Sequence, residues 1–209
     1  MKRAYYYLEE KYLKESADYM DKHLDNVVII DDDSRARILN IALNEIKLKG
    51  LHCEFGVHQA LQLNYLAKAK PNQHWYGFDS FEGLQENWPG GYHGKGWFSK
   101  QGQIPVVNKN VKIIKGWFKN TLPSFFKKNK EKISFMHIDC DTYQSTKDVL
   151  DNIDPKLLQK DTLILLDEYI SYWGWKENVF KAWKEYVNKH SIKYQYVLFG
   201  KGQGLVKII

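Results

Sequence analysis

Cysteine is scarce in this chain of 209 residues. Cys53 and Cys140 are far apart and each lies in or beside an apolar run, so neither a disulfide framework nor a zinc site is expected. No apolar stretch approaches the ~20 residues of a membrane span, and the N-terminus has no signal-peptide core. A soluble cytoplasmic protein without a membrane span is therefore the expectation. Repeats and low-complexity tracts are missing, which leaves out solenoids and flexible linkers. No Gly-x-Gly-x-x-Gly follows the first apolar run, which weighs against a nicotinamide-dependent oxidoreductase. The formal charge of +6 comes with no zinc-finger spacing and no RNA-binding signature, so no nucleic acid partner is expected. That charge still permits an acidic small molecule. Much of it sits in the stretch 127–132, read as a solvated loop between a helix and a strand.

Against these absences stand four carboxylates. Asp139 and Asp141 follow the apolar run 133–138, and Asp167 and Glu168 follow the run 162–166. Short apolar runs with polar bounds read as buried strands of a parallel sheet, and in open α/β sheets ligands bind outside the carboxyl ends of the strands. Acids gathered there repel one another, and a cation or a proton has to balance them.

Residues 1–48 carry charged and aromatic side chains at helical spacing, split at 31–34, where Ser34 or an Asp caps the second helix. They are read as an N-terminal helical extension ahead of a domain at 49–209. From there strand and helix patterns alternate: strands at 51–55, 74–78, 111–115, 133–138 and 162–166, with helices at 57–69, 122–128, 145–153 and 176–188. Strands at 193–199 and 205–209 around the glycines of 200–204 form a terminal antiparallel hairpin. The α/β sheet has seven strands and is mostly parallel, which resembles the class I methyltransferase fold, a Rossmann-like sheet with one reversed strand. The segment 79–110, rich in Gly, Trp and Tyr, shows no period and is the candidate substrate lid.

Aromatic residues make up 15% of the chain, with 7 Trp and 14 Tyr, enough to supply ligand-facing rings as well as core. Trp88, Trp97, Phe98, Trp173 and Trp175 either wall the crevice or pack in the interior. Gly56, where the first strand turns into a helix, permits a tight turn or lets backbone amides meet an anion. Asp79, ending the second strand, either accepts ribose hydroxyls or closes a local turn. His137 shares a strand face with Asp139 and is read as structural; His93 in the loop is read as exposed.

Taken in order, Glu54-Phe55-Gly56-Val57, the run from Gly77 through Asp79, Ser80 and Phe81 to Leu84, Lys115-Gly116-Trp117-Phe118, His137-Ile138-Asp139-Cys140-Asp141-Thr142-Tyr143 with Ser145-Thr146, and Leu166-Asp167-Glu168-Tyr169 resemble the macrocin O-methyltransferase family. The resemblance runs from about Gly50 to the end of the chain. It implies a sugar O-methyltransferase that uses S-adenosylmethionine and Mg2+. Residue by residue, it puts Glu54, Gly56, Val57, Asp79, Ser80, Phe81, Gly116, Trp117 and Asp139 at the cofactor. Asp139, Asp167 and Glu168 fall at the metal, with Glu168 where many relatives have Asp. Asp141, beside catalytic Asp139, becomes the general base, although it also stands where it could cap the helix after it. One departure is clear: relatives commonly carry a Gly-Gly pair where this chain has Ala60 and Leu61, which reshapes the methionine end of the site or lowers cofactor affinity.

The expected activity is methyl transfer to a hydroxyl of a sugar, nucleotide-sugar or other sugar-containing metabolite. A catalytically silent binding protein on the same fold is the alternative from another class. The acceptor, the pathway and whether the chain forms a homo-oligomer stay open.

Overall fold

The computed structural model describes residues 4–32, 34–90 and 93–209. The apolar runs become strands almost residue for residue: β2 (Leu51–Phe55), β4 (Val111–Lys115), β5 (Ile133–Ile138) and β6 (Leu163–Leu166), with β3 at Trp75–Asp79. Every residue of β2, β5 and β6 is buried. That is why these strands read as unbroken apolar runs: helices cover both faces of the sheet. The helices are α1 (Ala4–Asp21), α2 (Arg35–Glu45), α3 (Leu61–Ala69), α4 (Phe118–Lys128), α5 (Tyr143–Leu150) and α6 (Val179–Lys189).

The sheet has eight strands rather than seven. The extra one, β1 (Val28–Ile30), comes from the N-terminal stretch and pairs parallel with β7 (Tyr194–Gly200), Val28 opposite Leu198. The order is β1-β7-β8-β6-β5-β2-β3-β4, and only β8 (Gln203–Ile208) runs antiparallel to its neighbours. The β7–β8 turn is two residues, Lys201 (φ 47°) and Gly202 (φ 76°). Two successive positive φ values mark the turn class whose twist matches a hairpin. α1 is tied down too: the Tyr19 hydroxyl meets the Tyr196 hydroxyl at 2.6 Å, and Ser16 Oγ accepts the Ser171 N–H at 2.9 Å. The N-terminal residues 4–48 thus hold two helices and an edge strand of the common sheet.

The chain order reverses between β2 and β5, whose Glu54 and His137 are register partners. Such a switch point opens a crevice at the carboxyl ends of the strands. Two helix starts differ from the sequence pattern. α3 begins at Leu61 and not at residue 57, because His58 (φ 48°) and Ala60 (φ 59°) lie in the left-handed region. α6 begins at Val179 after a single 3-10 turn, Trp175–Glu177.

The segment 79–110 lacks regular secondary structure, as expected, yet it is folded by its own hydrogen bonds. Leu84 donates its N–H to Trp97 O and accepts the Gly96 N–H, both 2.9 Å, and Lys100 and Gly102 each donate to Phe81 O at 3.0 Å. Asn178 Nδ2 donates to Pro89 O at 2.8 Å and fastens the loop to the start of α6. Gly91 and Tyr92 of the candidate lid lie outside the described residues.

Candidate functional site

A cavity of about 210 Å³ opens at the switch point. Its floor is the loop after β2. Gly56 has φ 88°, and a Cβ there would fall 1.7 Å from the carbonyl oxygen of Asp139. Only glycine lets the end of β2 lie against the end of β5 this closely, so the residue permits both the turn and the approach. Asp79 then organises the loop. Its Oδ2 accepts the N–H groups of Val57 and His58, both at 2.8 Å, and its Oδ1 accepts that of Phe81 at 2.7 Å. A carboxylate holding three N–H groups fixes the backbone around it.

Of the residues assigned to the cofactor, Gly56, Val57, Asp79, Ser80, Trp117 and Asp139 line this cavity. Three do not. Phe81 is packed in the interior at 1% exposure. Gly116 (φ 139°) donates to Asp79 O at 2.9 Å and serves the chain path into α4. Glu54 is buried and faces His137, with Oε2 3.0 Å from Nδ1. Burial pushes the Glu54 carboxyl above its ordinary range, and His137 partly offsets this. His58 and Gln62, which the sequence pattern does not single out, also line the cavity, as does Ser145, which falls there within a motif and is given no role. Gln62 Nε2 donates to Asp139 Oδ2 at 2.8 Å. These polar side chains reach the site from helix starts, where residue type alone carries little signal.

The acidic residues do gather. Asp139 and Asp167 end neighbouring strands, and with His137 they place one ligand atom each within 4.8 Å of one another. Glu168 stands outside that trio. Its backbone is left-handed (φ 47°), and its carboxyl interacts with the Asp167 and Asp141 charges and with Arg35. Burial, and then the Asp167 and Asp141 charges, raise the Glu168 carboxyl to about 8. Asp139 is held well above its usual value by burial and by the neighbouring Asp167 and Asp141 charges. His137, read from sequence as structural, has a second role open to it: its Nε2 is buried with no hydrogen-bond partner among the described residues, 3.9 Å from Asp139 Oδ2.

Asp141 lines the cavity with φ 61°. The capping alternative fails for this residue. Thr142 is the N-cap of α5, its Oγ1 accepting the Ser145 N–H at 3.4 Å. Among the described residues no group donates to the Asp141 carboxylate. Burial, then Asp167 and Asp79, lift its carboxyl to about 7, a value suited to taking a proton near neutrality.

A residue outside every motif completes the cluster. Arg35, the first residue of α2, places Nη1 2.7 Å from Asp167 Oδ2 and 3.6 Å from Asp139 Oδ2. Burial alone would pull this guanidinium down, but Asp167 and Asp139 outweigh it and raise its pKa.

The aromatic residues divide. Phe98 lines the cavity and meets His58 edge-on at 5.7 Å. His93 stacks on Trp97 at 4.6 Å, and Trp97 is half exposed. Trp175 is fully buried against Tyr19 and Phe180 and belongs to the core. Both cysteines are free and buried.

The macrocin-O-methyltransferase (TylF) family model matches residues 98–197. That span contains the motifs at 115–118, 137–143 and 166–169 and bears out the resemblance read from them. No curated protein sequence matches the chain. Among solved structures, CalS11, a calicheamicin methyltransferase, is similar with a TM-score of 0.67 at 19% identity, covering 84% of this chain and 80% of that one. The apo form of CalS11, a TDP-rhamnose 3'-O-methyltransferase, gives 0.59 at 18% identity over 84% and 81%. MycE methyltransferase of mycinamycin biosynthesis, in complex with Mg and SAH, gives 0.51 at 10% identity over 83% of this chain and 48% of that one. The family match is to a methyltransferase family, and the solved structures share its fold. Among the described residues no helix is long and apolar enough to cross a membrane.

Proposed function

We propose that the chain is an S-adenosylmethionine-dependent O-methyltransferase acting on a hydroxyl of a sugar or nucleotide-sugar, with magnesium as its metal. The observation that carries this is the cavity at the β2–β5 switch point. It joins a Gly56 and Asp79 anchored loop to Asp139 and to an Asp141 free of any cap. The family match over 98–197 supports methyl transfer to oxygen. The sugar acceptor is suggested by the likeness to a methyltransferase of TDP-rhamnose.

Gly56, Val57, Asp79, Ser80 and Trp117 would hold the cofactor, with Asp79 offering its carboxylate to the ribose hydroxyls and fixing the floor beneath them. Phe98 would close over it from the loop. Asp139 and Asp167 would hold the cation, and the oxygen-rich donor set suits magnesium. Bound there, the metal would lower the pKa of an acceptor hydroxyl. Asp141, which also lines the cavity, would then remove the proton as the oxygen is methylated, and positioning of the two reactants supplies much of the rate.

Two experiments test this reading. Calorimetry should detect binding of S-adenosylhomocysteine and none of NAD. Labelled S-adenosylmethionine incubated with nucleotide-sugars and magnesium should transfer its methyl to one of them. Cofactor binding with no transfer to any hydroxyl acceptor would favour the silent binding protein instead.

A further inference from the structure

We infer that Arg35 is a built-in competitor of the divalent cation: its guanidinium occupies the charge-balancing place between Asp139 and Asp167, and metal enters only as Arg35 withdraws. The inference deepens the proposed function and rests on its cation site.

Three observations on this chain support it. Arg35 sits on both acids, 2.7 Å from Asp167 Oδ2 and 3.6 Å from Asp139 Oδ2. One cation between two acids satisfies the balance that a metal would otherwise supply, and a metal drawing on the same Asp167 oxygen competes with the guanidinium for it. The second is the residue's position at the first turn of α2. A positive charge there opposes the helix dipole, which favours acids at a helix N-terminus. The acid pair is what makes arginine favourable at this point. The third is His137. Its ring is fully buried and held by Glu54, with Nε2 unpartnered and directed toward Asp139. Arg35 leaves that nitrogen unsatisfied, and a hydrated cation would bring water to it.

Withdrawal needs little of the fold to move. Asp32 accepts the Ser34 N–H at 2.8 Å and the Arg37 guanidinium at 2.9 Å, which anchors the start of α2 from the solvent side. The Arg35 side chain is one-third exposed and can swing outward from that anchor. The cation site is then regulated by an element that precedes the family motifs altogether.

The test uses the full chain, stripped with chelator and titrated with Mn2+, reading free Mn2+ by electron paramagnetic resonance. Arg35→Gln should bind one Mn2+ at least about tenfold tighter than the parent, because the ion no longer displaces a bound charge. The gain should vanish when Asp139→Asn is added. On the parent protein itself, saturating Mg2+ should shift the Arg35 Nε–Hε resonance, because the guanidinium leaves the two acids. Equal or weaker Mn2+ binding by Arg35→Gln, a gain that survives Asp139→Asn, or an Arg35 Nε resonance that does not move with Mg2+ overturns the inference. S-adenosylhomocysteine affinity, measured alongside without metal, separates the two ideas. Its absence sinks the methyltransferase reading, whereas its presence with unchanged metal affinity sinks only the role of Arg35.

Discussion

Glu54 and His137 face each other across the β2–β5 pair, Oε2 to Nδ1 at 3.0 Å, both nearly or fully without solvent contact. The family resemblance put Glu54 at the cofactor, but the pairing makes it the strut that sets the His137 ring beneath Asp139. Removing one partner strands the other in the interior. Glu54→Leu and His137→Leu should each therefore cost about 3 kcal/mol by chemical denaturation, and the double variant should cost much less than their sum. Additive losses would show that the two groups do not depend on each other.

Asp79 has a double duty, holding the N–H groups of Val57, His58 and Phe81 while lining the cavity. Asp79→Ala leaves those donors unpaired and should cost about 2–4 kcal/mol of stability. S-adenosylhomocysteine affinity should fall by about tenfold or more. Calorimetry on the folded variant below its melting point checks this, and parent-like affinity there would remove Asp79 from the cofactor site.

Asp141 is the predicted base, and its carboxyl near pH 7 gives the prediction a signature. The base works only when deprotonated, so kcat/KM should rise with pH and then level, with the rise lying below pH 7 when magnesium is bound because the cation favours the ionised acids. Asp141→Asn should lower turnover by about 10²-fold or more and flatten that rise. Mn2+ affinity should be largely kept. A variant that retains the rising limb would move the base elsewhere.

The strands and the acids at their ends were legible from sequence because β2, β5 and β6 are buried on both faces and so read as continuous apolar runs. β1 was not legible: Val28 and Ile29 are exposed at the sheet edge, and three residues carry too little pattern. The delayed start of α3 was hidden for another reason. His58 and Ala60 adopt positive φ without being glycine, and the Gly-Gly pair common in relatives is the signal this chain lacks. Arg35 could not be found by motif spacing at all, since its partners lie more than a hundred residues away and meet it only through the sheet.

The folded chain binds extra protons in its site, and this fixes the direction of its pH stability. Asp141 rises from 3.8 to about 7 and Glu168 from 4.5 to about 8, in each case chiefly through burial. A carboxyl whose folded pKa is raised favours folding while protonated, so that contribution is lost as pH climbs from the unfolded value through the folded one. His52 acts in the opposite sense. Burial lowers it from 6.5 to about 4, and its contribution is lost as pH falls below 6.5. Above pH 6.5 the carboxyls alone therefore govern this balance. The melting temperature of metal-free protein should drop between pH 6.5 and 8, and it should drop less in the Asp141→Asn, Glu168→Gln double variant. Added magnesium should shrink the parent's drop as well, because a cation stabilises the ionised acids directly. Circular dichroism melts at the two pH values decide the matter: a double variant that loses as many degrees as the parent would show that Asp141 and Glu168 are not the titrating groups.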